Sequence, residues 1–369
     1  MNWKFLSRKK TDTAKPKKSK TREWIDAILF ALVASTIIRG LLFSAFAIPS
    51  ASMEGSLMTG DYLFVSKLSY GARMPMTPVA IPFTESTIYG NMKTYWDGIQ
   101  LPYYRLPGLG DVKKGDAVVF NYPAETVPRP VDMRVHYIKR CVGLPGETVT
   151  IVNGQAYTDG KIVKNAPQAQ TSYLVVTNGT PLNQDVLTDL HVEVRGFDGT
   201  STYEMVIPTD SYSQVKNFSN VKSVTQVNEP KGEVDSQVFP KNALFKWNQD
   251  NYGPILIPKK GTVIQLNDST VALYSRAIEV YEHNKLEIKG KEVFINDKKA
   301  DNYTFKMNYY WMMGDNRHNS VDSRFWGFVP EDHIVGKAVI TWMSIDSTQS
   351  FFKKIRWNRI FRPIPRVEQ

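Results

Sequence analysis

Two residues in this chain have the types and settings that nucleophilic chemistry requires. Ser52 lies in F-A-I-P-S-A-S-M-E-G-S-L, residues 46 to 57, just past an apolar run, and Lys139 lies in V-H-Y-I-K-R-C-V-G-L-P-G-E, residues 135 to 147. A serine hydroxyl is inert at neutral pH until a neighbouring base takes its proton. Histidine is the common base, but the five histidines (His136, His191, His283, His318 and His333) fall in no G-x-S-x-G type of frame. Lys139 sits in an alternating β-branched run that places Tyr137, Lys139 and Cys141 on one strand face and His136, Ile138 and Arg140 on the other. A free lysine is neutral in only about one molecule in a thousand at pH 7.5, a handicap of about 4 kcal/mol, and burial between apolar neighbours removes much of it. Taken singly, a strand lysine is usually a solvated side chain and a serine after proline is usually a turn or a cap. Ser52 as nucleophile and Lys139 as base is the sharper alternative.

A third segment, M-M-G-D-N-R-H-N-S-V-D-S-R-F-W-G-F-V-P (residues 312 to 330), shifts that balance. Residues 48 to 57, 137 to 147 and 314 to 330, together with the strand K-K-G-D-A-V-V-F at 113 to 120, resemble the boxes of bacterial type I signal peptidases and stand in the same order. The resemblance implies a membrane-bound Ser-Lys endopeptidase that removes signal peptides from exported preproteins after small-x-small (A-x-A) sequences, without metal or cofactor. Position by position, Ser52 matches the nucleophile and Lys139 the general base. Ser50 matches the serine whose hydroxyl joins the Ser52 N–H in an oxyanion hole, and Ser320 the serine that hydrogen-bonds and orients the lysine. Asp322 and Arg324 match a charged pair that braces the loop. Ala51 stands where many members have glycine, and Glu54-Gly55 where many have a Met-Pro or Glu-Pro pair.

The elements that must position these residues follow from composition and pattern. The chain of 369 residues is 42% hydrophobic, enough to bury a sizeable core. Its single cysteine, Cys141, excludes an intramolecular disulfide and reads as a small strand residue. The net charge of +10 is concentrated at the ends: nine Lys/Arg against one Asp in residues 1 to 22, and six against one Glu in 351 to 369, leave about −3 on the body. Basic ends on a mildly acidic body favour anionic lipid over nucleic acid.

Residues 24 to 49 are mostly apolar, with an uninterrupted stretch from Ala27 to Ile38. Twelve residues give about 18 Å of helix, so a membrane span must also take in residues near Trp24 and leave Arg39 to snorkel at the far side. The span is expected at about 24 to 43 within a segment 23 to 45, amino end in the cytoplasm and the rest outside it. A cleavable leader cut after Ala47 is the competing reading, which the long tail and Arg39 oppose.

Beyond Ser52, residues 60 to 71 read as a strand and residues 72 to 111 as a long Pro-rich, aromatic loop. From 111 to 350 short alternating runs recur between turns such as Asn153-Gly154 and Asp159-Gly160, with no long helical stripe. The expected fold is mainly β: a membrane-anchored antiparallel catalytic domain (46–152 and 306–350), an inserted β-rich subdomain (153–305) and a basic tail (351–369) placed on lipid or packed on the domain. A Ser-Lys autoprotease of the repressor type needs a DNA-binding domain, and a penicillin-recognising enzyme needs S-x-x-K, whereas Gly55 follows Ser52 at that spacing. A membrane-anchored binding module would make every box a coincidence.

Overall fold

The computed structural model describes residues 19–89, 92–290, 292–350 and 354–368. Most of the amino-terminal basic tail therefore lies outside the described residues. Helix α1 (Lys20–Leu41) is capped by Ser19, whose side chain accepts from Arg22 N–H, and none of its residues is buried. Its polar side chains are satisfied within it: the Ser35 and Thr36 hydroxyls both donate to Leu32 O. It is the one described helix long and apolar enough to cross a membrane. It stops short of the expected limit at 45 because the chain turns at once into strand β1 (Phe43–Ala47), where Phe43 pairs with Ser66.

The main sheet contains β1, β2 (Asp61–Ser66), β3 (Ala117–Asn121), β4 (His136–Gly143), β5 (Tyr309–Met313), β6 (Val329–Pro330), β7 (Ile334–Ser344) and β8 (Arg362–Pro363). The order is β1-β2-β7-β3-β4-β5-β6, with β8 added on β7, and the pairs are antiparallel. Strand β3 shows why the sheet is buried on both sides. Ala117 and Val119 pack with Ile48, Met53, Leu57 and Leu63 on one face, whereas Val118 and Phe120 pack with Cys141, Met312 and Trp326 on the other.

Residues 148 to 305 add further sheets. Strand Thr148–Val152 pairs with Gln155–Thr158 through the Asn153-Gly154 turn, where both residues have positive φ, and with Tyr252–Leu256. Strands Glu193–Phe197, Thr202–Pro208, Gln170–Thr177 and Val221–Gln226 form a second four-stranded sheet around Val175, Leu187 and Met205. The largest core joins these regions to the main sheet: Ile151, Tyr252, Tyr274 and Phe305 pack with Val142, Trp311 and Phe328. One departure from the expected all-β pattern is the helix Asp268–Arg276, continued by a π-helical turn Ala277–Tyr281. Asn267 and Thr270 cap it reciprocally, and Val271, Tyr274, Ile278 and Tyr281 form the buried stripe.

The carboxyl-terminal segment is not a free tail. Arg359 pairs with buried Asp61, its Nε donating to Oδ1 at 3.0 Å, and its Nη2 also donates to Ser56 O at 3.2 Å. Pro365 O accepts from Arg140 Nη1 at 3.2 Å, so residues 354 to 368 strap the sheet behind the segment that carries Ser52. Of the two placements expected for the tail, Arg359, which is buried, and Arg356, which donates to Thr59 O at 2.9 Å, follow the one packed on the domain.

Candidate active site

Ser52 lies in a 3-10 turn, Ala51–Met53, on the connection between β1 and β2. That connection continues the hairpin ladder: Ile48 N–H donates to Asp61 O at 2.8 Å and Gly60 N–H to Ile48 O at 2.9 Å. Buried Met53 and Leu57 pin the turn to the core, and Asp61 holds its far end through Met58 N–H. Gly55 has a φ of +91°, and a Cβ there would sit 1.8 Å from Gln168 O. The departure at Glu54-Gly55 is thus a position where only glycine lets the nucleophile segment lie against the neighbouring chain.

Three strands separate β1 from β4 in the sheet order, and the sheet's curl brings the Ser52 turn over β3 and β4. Lys139 Nζ stands 2.7 Å from Ser52 Oγ and 3.1 Å from Ile138 O. Lys139 is only 3% exposed. Burial pushes its amine down to about 8, against the opposing pull of the Asp322 and Asp315 carboxylates and with the help of the Arg324 charge. At pH 7.5 a group with that pKa is neutral in roughly a quarter of molecules, against one in a thousand for a free lysine.

Ser50 is exposed, and its Oγ lies 3.4 Å from Ser52 Oγ. The short turn leaves its first amides without a carbonyl partner inside the turn, and the Ser50 hydroxyl lies beside the serine oxygen. Ser320 is buried next to Gly314, where an added Cβ would meet its Oγ at 2.2 Å and Ser52 O at 2.5 Å. The Ser320 hydroxyl has no hydrogen-bond partner, so the expected bond to the lysine is not formed here. Lys139 Nζ donates instead to Ser52 Oγ and Ile138 O.

Asp322 and Arg324 form a fully buried pair: Arg324 Nε donates to Asp322 Oδ1 at 2.9 Å and Nη2 to Oδ2 at 2.8 Å. Asp322 Oδ2 also accepts from Gly314 N–H at 3.0 Å, and Arg324 Nη2 donates to Arg317 O at 2.6 Å. The pair thereby closes the loop from Gly314 to Asp322 on itself. A second buried pair escaped the reading of the sequence. Arg140, next to Lys139, donates through Nε to Asp315 Oδ1 at 2.7 Å and through Nη2 to Ser56 Oγ at 3.3 Å. Asn316 completes the link, its N–H donating to Ser52 O at 3.2 Å and its Nδ2 to Ala51 O at 3.3 Å. The D-N-R run after Gly314 held the signal, as charged and amide residues in an otherwise apolar strand end.

Cys141 is fully buried in the core beneath, and burial pushes its thiol well above the ordinary range, which removes it as a nucleophile. Among the described residues no histidine hydrogen-bonds Ser52; His318 is paired with Asp250 and His333 with Asp332. A cleft of about 420 Å³ passes the Ser52–Lys139 contact, with apolar walls that include Ile48, Val119, Val135, Ile138 and Val321.

A serine hydroxyl 2.7 Å from a buried lysine amine thus lies beside an apolar cleft on a β scaffold. Residues 21–248 and 256–343 match the family described as signal peptidase, peptidase S26. The chain is 26% identical over 369 residues to signal peptidase I of Buchnera aphidicola subsp. Acyrthosiphon pisum, covering 98% of this chain and 88% of the relative. It is 26% identical over 349 residues to that of Haemophilus influenzae (94% and 76%) and 25% identical over 323 residues to that of Aquifex aeolicus (88% and 84%). The chain belongs to the signal peptidase family, peptidase S26, and is a serine endopeptidase.

Proposed function

We propose that this endopeptidase removes amino-terminal signal peptides from exported preproteins, with Ser52 as nucleophile and Lys139 as general base. The observation that carries the reading is the 2.7 Å contact between Lys139 Nζ and Ser52 Oγ inside a buried setting. Neutral Lys139 accepts the Ser52 proton as Oγ bonds to the scissile carbonyl carbon, and the carbonyl oxygen takes up the displaced electron pair. The Ser52 N–H and the Ser50 hydroxyl hold that oxyanion. Collapse breaks the C–N bond, and the lysine ammonium returns its proton to the leaving amine. Water, deprotonated by the same amine, then hydrolyses the Ser52 ester and restores both groups. Asp322 and Arg324 hold the loop on which Ser320 sits, and Ser320 orients the lysine once substrate fills the cleft.

An extended substrate places alternate side chains on one face, so two positions separated by one face the same wall of the cleft. Branched residues such as Ile48, Val119, Val135 and Ile138 line the cleft, a setting that favours small-x-small, A-x-A, at the cut. Helix α1 fixes the enzyme in the cytoplasmic membrane, the basic tail stays on the cytoplasmic side, and the catalytic domain faces the other side next to the lipid. A tethered enzyme and a membrane-inserted substrate then meet at high effective concentration.

The test is cleavage in detergent of a synthetic precursor peptide containing A-x-A. The cut is expected after the second alanine, and leucine there is expected to lower kcat/KM about 100-fold, the scale of a steric misfit in an apolar pocket. Equal cleavage of the leucine peptide would remove the specificity from this account.

A further inference from the structure

A second cavity, of about 180 Å³, opens where α1 runs into β1, and Arg39, Gly40, Lys67, Arg73, Asp132 and His136 are on its walls. Its charges are unbalanced. Asp132 is the carboxylate present, and its oxygens already accept from Met76 N–H, Thr77 N–H and the Thr77 hydroxyl, each at 2.8 Å. Lys67 Nζ donates to Gly40 O at 3.2 Å, a helix-end carbonyl. Arg73 donates to two uncharged acceptors, Asp332 O at 2.6 Å and Asn121 Oδ1 at 2.7 Å. Arg39 lies 5.4 Å from the centre of the Phe83 ring. Among the described residues none of these three cations is seen in an ion pair, and the Asp132 and Asp332 carboxylates act on Arg73 from a longer distance. Burial above all, and then the neighbouring Arg73, Arg39 and Arg105 charges, push the Lys67 amine down to about 8.

The position of the cavity names the anion. From Trp24 to Leu41 the exposed apolar stretch of α1 is about 27 Å long, close to a hydrocarbon core of about 30 Å, which sets the end of the helix at the headgroups. Val79, Ile81 and Phe83 are exposed apolar side chains on the loop whose Phe83 ring lies by Arg39. We propose that this cavity binds the phosphate group of a lipid headgroup in the leaflet at the carboxyl end of α1. The unused donors of Lys67, Arg39 and Arg73 would meet the phosphate oxygens. Lys67 follows β2 directly, and its N–H donates to Leu42 O at 2.8 Å, so a phosphate held there fixes the height of the hairpin that carries Ser52. The lipid source rests on α1 crossing the bilayer, as proposed above; the phosphate chemistry does not.

The test is calorimetric titration of the full chain in uncharged maltoside micelles with short-chain phosphatidylglycerol, and in a parallel arm with inorganic phosphate at matched ionic strength. Neither arm depends on peptidase activity, so failure here is separable from failure of the functional reading. Saturable binding of one lipid is expected. Lys67→Gln, which keeps a donor for Gly40 O, is expected to weaken it about tenfold, the loss of one charge-assisted hydrogen bond, while Lys67→Arg retains it. Arg39→Gln, at an exposed side chain, gives the same loss should Lys67→Gln lower the thermal midpoint. Lipid binding that does not saturate, or that both glutamine variants leave unchanged, overturns the proposal. Equal binding of inorganic phosphate, lost with Lys67→Gln, overturns the lipid source.

Discussion

Ser52→Ala and Lys139→Met are each expected to lower kcat by about 10⁴-fold or more, and the double variant to be no slower than either single one. The non-additivity is the informative part. In the proposed mechanism the two groups act as one unit through a single proton, so removing either would leave only what binding and the oxyanion donors supply. The 2.7 Å contact between them is what supports this expectation. Lys139→Arg is expected to be as inactive as Lys139→Met, because a guanidinium stays charged and cannot accept the proton. The assay is steady-state cleavage of a precursor peptide, with thermal unfolding to establish that each variant is folded. Losses that multiply in the double variant would mean that the residues work separately.

Arg324→Leu is expected to cost about 3–5 kcal/mol of stability, the largest effect anticipated outside the reacting groups. Asp322 is 0% exposed and Arg324 1% exposed, so the substitution strands a carboxylate with little beyond backbone N–H donors. The surface pair Lys93–Asp97, with both side chains substantially exposed, is the control, and Lys93→Ala is expected to leave the denaturant midpoint almost unchanged. Denaturant midpoints on the full chain in detergent measure both. Equal, small effects at the two sites would show that the buried pair does not hold the loop.

The sequence made some of this architecture legible and hid the rest for physical reasons. Local patterns carried well: Val118 and Phe120 alternate with Ala117 and Val119 between two cores, and the Asn153-Gly154 turn closes its hairpin. Lys139 was legible because its neighbours are apolar and β-branched, a setting that foretells burial without any partner being known. The partners were not. Arg140 meets Asp315 across 175 positions and Arg359 meets Asp61 across 298, and no local periodicity encodes such pairs. The helix at Asp268–Arg276 escaped because it is nine residues long and follows a strand-like run, although its Asn267/Thr270 capping box was present. Ser320 is the reverse case: the box match located its place beside the site, but not the bonds its hydroxyl makes.

The central claim is that burial holds Lys139 near 8, so that a sizeable fraction is neutral amine at working pH, and its own titration tests this most directly. The ¹³Cε resonance of Lys139 in the full-length protein, assigned by its absence from Lys139→Met, can be followed from pH 6 to 11 beside the pH profile of kcat/KM. Burial lowers the pKa, so the charged, inactive form prevails below about pH 8 and activity rises through that value to a plateau. The account predicts a resonance midpoint near 8 that coincides with the acid limb of the rate. A midpoint at 10 or above, with peptidase activity already at its plateau by pH 7, would contradict it and place the base elsewhere.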